Sequence, residues 1–200
     1  HRLQVTPNLA TRVRIQAGAR LVQKQQFRVM QKSLGQFRSP PQASGKLLDL
    51  AAIGYGGVVL AVSDEHFGAK ENLLMPGRAP NMGDGWETRR RRGPGHDWAI
   101  VKLGSSGRLE RIEVDTNHFK GNYPESCQIE ACLAPGATRN AIVDGKRAWS
   151  EVLPQTRLSQ HKRHFFSKLA ARGPFSHLRL NIFPDGGVSR LRVHGRAVAP

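Results

Sequence analysis

Two hundred residues with 31 Lys or Arg against 15 Asp or Glu give a net charge of +16, which on its own would nominate a nucleic-acid or anionic-membrane partner. The distribution undercuts that reading: nine basic residues and no acidic ones fall in 1–48, leaving 22 basic against 15 acidic residues afterwards. No stretch approaches the roughly 18 apolar residues of a membrane span, so neither nucleic acid nor membrane is expected as a partner.

The chain opens with HRLQVTPNLATRVRIQ, which lacks the apolar core of a secretory signal, so the cytoplasm is the expected compartment. Residues 1–46 are basic and Gln-rich and end in SPPQASGK, a linker-like cluster. They are expected to be disordered or atypical, ahead of a domain spanning 47–197. Short apolar runs between turn residues then follow. Strands are predicted at 56–63, 97–104, 108–116, 127–133, 149–154, 177–183 and 188–195. The tetrapeptide PDGG at 184–187 predicts a hairpin joining the last two. A helical crossing segment is predicted at 160–172 (QHKRHFFSKLAAR). Many short strands, long loops and little helix make the fold class all-β, a sandwich or jelly roll. Cys127 and Cys132 lie five apart on one predicted strand, so they face opposite ways and should not pair; buried free thiols fit a reducing compartment.

Two loops concentrate chemistry. Residues 75–98 hold Asp84, Trp86, Glu87, the run Arg89 to Arg92, His96 and Asp97 between glycines that fix turns. If extended, the run places Arg89 and Arg91 on one side and Arg90 and Arg92 on the other. Such arginines suit bidentate binding of a carboxylate, although a run of four is more often a solvated basic face. The second loop, DTNHFKGNYPES at 115–126, holds Asp115, His118, Lys120, Asn122, Tyr123 and Glu125 directly after a strand. A His among carboxylates suits general acid–base work, while capping of turns is an equally ordinary use of those residues. Asn181, Asp185 and Arg190 surround the PDGG turn, and His161 and His164 stand three apart without a third metal ligand. No metal site and no cofactor are expected.

The blocks NLLMPGRAPNMGDGWETRRRRGPGHDWAIVKLG, IEVDTNHFKGNYPESC, WSEVLPQT and HLRLNIFPDGGVSRLRVHG resemble the allantoicase family in order and spacing, over about 150 residues from LLDLAAIGYGG to HGR. The family has two homologous repeats of a galactose-binding-like jelly roll, and 48–196 look like the second; residues 1–46 do not look like the first. The resemblance implies hydrolysis of allantoate to ureidoglycolate and urea, in allantoin degradation. On the matching blocks, the chemistry of that reaction assigns a carboxylate clamp to Arg89, Arg90 and Arg92, and acid–base work to His118 with Asp115 and Glu125. Glu87, His96 and Lys120 are secondary substrate-binding members. The alternative is a truncated, non-catalytic ligand-binding β-sandwich module. A homo-oligomer is expected, because a lone repeat exposes the surface its sister covers.

Overall fold

The computed structural model describes residues 45–144 and 147–198; the basic segment 1–44 lies outside them. The elements in chain order are β1 Leu48–Asp49, β2 Val58–Val62, β3 Trp86–Glu87, β4 Asp97–Asp115, β5 Ser126–Cys132, α1 Arg139–Val143, β6 Ser150–Arg157, β7 Arg163–Phe166, β8 Phe175–Phe183, β9 Gly187–Val188 and β10 Arg190–Ala197.

The two strands predicted at 97–104 and 108–116 are one strand of 19 residues, β4, and the architecture is organised around it. Its first half pairs with β2 and β8, Ala99 opposite both Val62 and Leu180. Its second half pairs with β10 and β7, Ile112 opposite both Val193 and Phe166. One layer therefore runs β6-β5-β8-β4-β2 and the other β1-β10-β4-β7, with β4 crossing between them. All ladders are antiparallel. The crossing is tight: a Cβ at Gly107 would stand 2.5 Å from Leu50 Cδ1 and 2.7 Å from the Arg196 carbonyl, so glycine is required there.

Period-two alternation fills the space between the layers. Ala99, Val101, Leu103, Leu109, Ile112 and Val114 of β4 meet Ile129, Leu178, Leu180, Ile182, Leu191 and Val193 in one buried core. Each of the Val, Leu and Ile side chains among them contributes about 1.5–3 kcal/mol on burial. A smaller cluster of Ile100, Cys132, Ala134 and Ile142, with Trp98 and Trp149 packed on it, occupies the other face of β4 and β5 under α1. Both cysteines are free, and they point into different clusters as their spacing predicts. Burial pushes the Cys127 thiol up to about 12, making it an inert apolar filler.

Two sequence expectations are corrected. Residues 160–172 form no helix; Arg163–Phe166 is instead the edge strand β7. The ladder to β4, a bidentate Arg163–Glu113 pair at 2.7 and 3.0 Å, and the His164 ring on the Val114 carbonyl at 3.1 Å hold it extended. Nor does PDGG close a hairpin. β8 and β10 do not pair with each other, because they sit in different layers with β4 as their shared neighbour. The segment is a crossover whose Gly187–Val188 pairs with β3. The short helix α1, capped by the Thr138 hydroxyl accepting from the Ala141 N–H at 3.3 Å, has no counterpart in the sequence reading.

Candidate functional site

The loop before β4 and the loop after it are brought together at the end where β4 finishes, and arginines of β10 hold the first of them. Arg190, 2% exposed, reaches from β10 into the 72–84 loop. It donates to the carbonyls of Gly77 (3.3 Å), Asn72 (3.0 Å), Ser189 (2.8 Å) and Asp84, and pairs with the Asp84 carboxylate. Arg192 repeats the device on the carbonyls of Met75 and Gly77, with Asp49 3.6 Å from its Nε. Phe119, fully buried, is the second clamp. A Cβ at Gly187 would stand 1.9 Å from its ring, and one at Gly85 2.7 Å, so β9 and the loop before β4 both close on it through glycine.

On this frame Asp115, Asn117 and His118 form one cluster with the 78–79 backbone. Asp115 is 1% exposed. One carboxylate oxygen accepts from the Asn117 N–H at 2.9 Å; the other has no hydrogen-bond donor and faces Arg78 Nε at 3.6 Å. The Ala79 carbonyl accepts from Asn117 Nδ2 at 3.3 Å and His118 Nε2 at 2.9 Å. A carbonyl only accepts, so Nε2 of His118 carries a proton and Nδ1 is the basic nitrogen. The His118 N–H donates to His161 Nδ1 at 2.8 Å, and the two rings meet edge-on with centroids 5.6 Å apart. These histidines are the non-glycine residues with left-handed backbone among the described residues, at φ 69° and 49°. That conformation costs roughly 1–2 kcal/mol per residue and concentrates at functional sites.

The remaining candidates distribute differently from their sequence grouping. Glu87, on β3, accepts from Asn122 Nδ2 at 2.5 Å through one oxygen, while the other is buried without a partner. Burial raises its pKa above the ordinary value, against the Asn122 hydrogen bond and the charge of His66. The arginine run does not alternate. Arg91 turns inward to Asp97 at 2.5 Å, and its N–H donates to Asp185 at 2.8 Å. Arg89, Arg90 and Arg92 stay exposed, and none makes an ion pair among the described residues. Arg89 is tied only by its N–H, to Asp64 at 2.6 Å. His96 lies against Phe183 at 4.6 Å between centroids, its Nε2 buried without a partner. Lys120 is exposed. Glu125 does not join His118 and Asp115: it is exposed, with Arg157 at 3.4 Å. Arg78 and His161, absent from the sequence assignment of the site, stand beside Asp115 and His118. Only the folded register brings them there, from 37 and 43 residues away in the chain. Among the described residues no three His, Cys, Asp or Glu side chains are grouped to hold a metal, and no helix is long and apolar enough to cross a membrane.

Comparison with known proteins bears on this end of the sandwich. Residues 48–198 match the family model described as the allantoicase repeat. A probable allantoicase of Pseudomonas aeruginosa (strain LESB58) is 58% identical over 160 residues, which make up 80% of this chain and 48% of that protein. One from Stutzerimonas stutzeri (strain A1501) is 57% identical over 152 residues, 76% of this chain and 46% of that protein. The chain thus spans about half the length of the curated relatives it matches. The solved allantoicase of Saccharomyces cerevisiae is 41% identical with a TM-score of 0.64, over 74% of this chain and 43% of that one. A CBM32 module of a Clostridium perfringens glycoside hydrolase, 14% identical with a TM-score of 0.55 over 77% of this chain and 97% of its own, shares the galactose-binding-like jelly roll alone. Matched by the repeat model over 48–198 and by relatives at 58% identity, the chain belongs to the allantoicase family.

Proposed function

We propose that the chain carries a site for hydrolysis of allantoate to ureidoglycolate and urea, in purine degradation. Besides family membership, the observation that carries the reading is the anchoring of His118. Its Nε2–H is spent on the Ala79 carbonyl, so Nδ1 is left as a positioned base. In the reaction a water oxygen bonds to the central carbon while the bond from that carbon to one ureido nitrogen breaks. The proton leaving the water passes to His118 Nδ1 and from there to the departing nitrogen, giving neutral urea. Asp115 is a positioning residue: it fixes the turn that presents His118 by accepting the Asn117 N–H. Glu87, shifted by burial towards its protonated form, is a second proton source. Arg89, Arg90 and Arg92 form a cationic rim that attracts the anionic substrate, and Lys120 and His96 are secondary members.

The test is urea release from allantoate by the purified 200-residue chain and by His118→Gln. Glutamine keeps an N–H for the Ala79 carbonyl and removes the basic nitrogen. Turnover in the parent and a loss of about 10²-fold or more in the variant support the reading. Calorimetric binding of allantoate without urea release would instead make this a ligand-binding module. The proposed assembly is a homo-oligomer, read by light scattering; the proposed compartment is the cytoplasm, in keeping with two free thiols.

A further inference from the structure

We infer that Arg78 and His161 are the substrate-recognition residues of this site, Arg78 binding the carboxylate and the Nε2–H of His161 a ureido carbonyl oxygen. The inference rests on allantoate being the substrate.

The case for His161 is stereochemical. A backbone N–H can only donate, so the bond from His118 N–H to His161 Nδ1 requires a lone pair on Nδ1. The ring proton of neutral His161 then sits on Nε2. That nitrogen belongs to an exposed side chain and has no partner among the described residues. A fixed neutral donor beside a fixed base is what a ureido group next to a scissile C–N bond needs. The strained backbone points the same way. A turn needing φ of 49° would be made more cheaply by glycine or asparagine, whereas histidine there supplies a ring nitrogen to its neighbour.

The case for Arg78 is one of placement. Its side chain is 55% exposed and its Nε lies 3.6 Å from Asp115 Oδ2, a carboxylate that is itself 1% exposed. Held at Nε, the guanidinium keeps both terminal nitrogens for a bidentate carboxylate contact. The next residue, Ala79, holds His118 through its carbonyl, so the cation and the base are fixed by one piece of backbone. None of Arg89, Arg90 and Arg92 has a bond that ties it to His118 among the described residues, and Arg91 is committed to Asp97. A cation held at Asp115, next in the chain to the residue that anchors His118, and a neutral donor held against His118 itself match a carbon bearing one carboxylate and two ureido groups.

The experiment measures urea-release kinetics and calorimetric allantoate binding for the full chain and for His161→Asn, Arg78→Gln and Arg78→Lys, with melting curves as the check on folding. Asparagine tolerates left-handed backbone and places Oδ1 where Nδ1 accepts the His118 N–H, but lacks a donor at the reach of Nε2. A wild-type melt with KM and Kd raised about tenfold or more, kcat changing less, is expected for His161→Asn and Arg78→Gln. Arg78→Lys should recover part of the loss, since it restores charge without the fork. If the parent turns over allantoate and His161→Asn matches it, His161 only shapes the turn: the inference falls and the reading of the function stands. If the parent neither binds nor hydrolyses allantoate, both fall.

Discussion

Replacing Arg190 by methionine tests whether the site depends on the loop that β10 holds. Methionine matches the aliphatic stem and removes every donor. The carbonyls of Asn72, Gly77, Ser189 and Asp84 lose a partner, and the Asp84 carboxylate loses its cation. Breaking a buried pair from one side costs about 3–5 kcal/mol. The Asp84 side chain is 29% exposed, so water can take over part of its charge and the low end applies, about 3 kcal/mol. For a domain of this size that is roughly 6–12 °C in Tm. Arg190→Lys, which keeps a charge near Asp84 but cannot span the carbonyls, should fall between. Because Arg190 donates one of the two bonds on the Gly77 carbonyl, Arg192 donating the other, Arg78 and Ala79 should lose part of their placement, raising KM at temperatures where the variant is still folded. Thermal and urea unfolding followed by circular dichroism give the stability, and urea release gives the kinetics. A Tm within about 2 °C of wild type, or a destabilised variant whose KM is unchanged, would refute the link between this arginine and the site.

Three further outcomes follow from the same packing. Gly187→Ala should destabilise by about 3 kcal/mol or more, since its Cβ would stand 1.9 Å from the buried Phe119 ring; adding Phe119→Leu should recover part of it in urea melts. Burial, with the charges of Lys102 and Arg147, pushes the His177 imidazole down to about 4 from 6.5. The unfolded chain therefore binds a proton in that window that the fold refuses, so stability falls as pH drops from 6.5 towards 4, by up to about 1.4 kcal/mol per pH unit; His177→Gln should flatten that part of the curve. Burial raises the Glu87 carboxyl above 4.5, so the folded state favours its protonated form and loses stability as pH rises through that range. Glu87→Gln should melt higher than wild type at pH 7, with the difference closing below pH 4.5.

Where sequence and structure agree, alternation carried the information. Leu178, Leu180 and Ile182, or Cys127, Ile129 and Ala131, face one core because a strand exposes its sides in turn. The failures mark places where neighbours decide. Phe165, Phe166 and Leu169 have a spacing that suits a helix, but the open side of β4 and the Glu113 carboxylate recruit Arg163–Phe166 as a strand. PDGG has hairpin chemistry in its own four residues; that its flanking strands belong to different layers is written nowhere near it. The five residues of α1 are too few to show a period, and only the Thr138 cap marks its start. At the site, Asp115 and His118 were legible because they share a loop. Arg78 and His161 were not, since a hydrogen bond spanning 43 residues leaves no local pattern. Glu125, three residues from Asn122, looked equally eligible, yet it stands exposed beside Arg157.

The 19-residue reach of β4 bears on how the molecule comes apart. A sandwich whose layers are joined only by loops can shed one sheet and keep the other. Here the same backbone supplies ladder partners to β2 and β8 at one end and to β10 and β7 at the other, so peeling either layer strips bonds from a strand the other still needs. Amides of β8 and β10 should then exchange with solvent through a single shared opening event. The loop bearing His118 and the sheet face covered by α1 would lose their structure together.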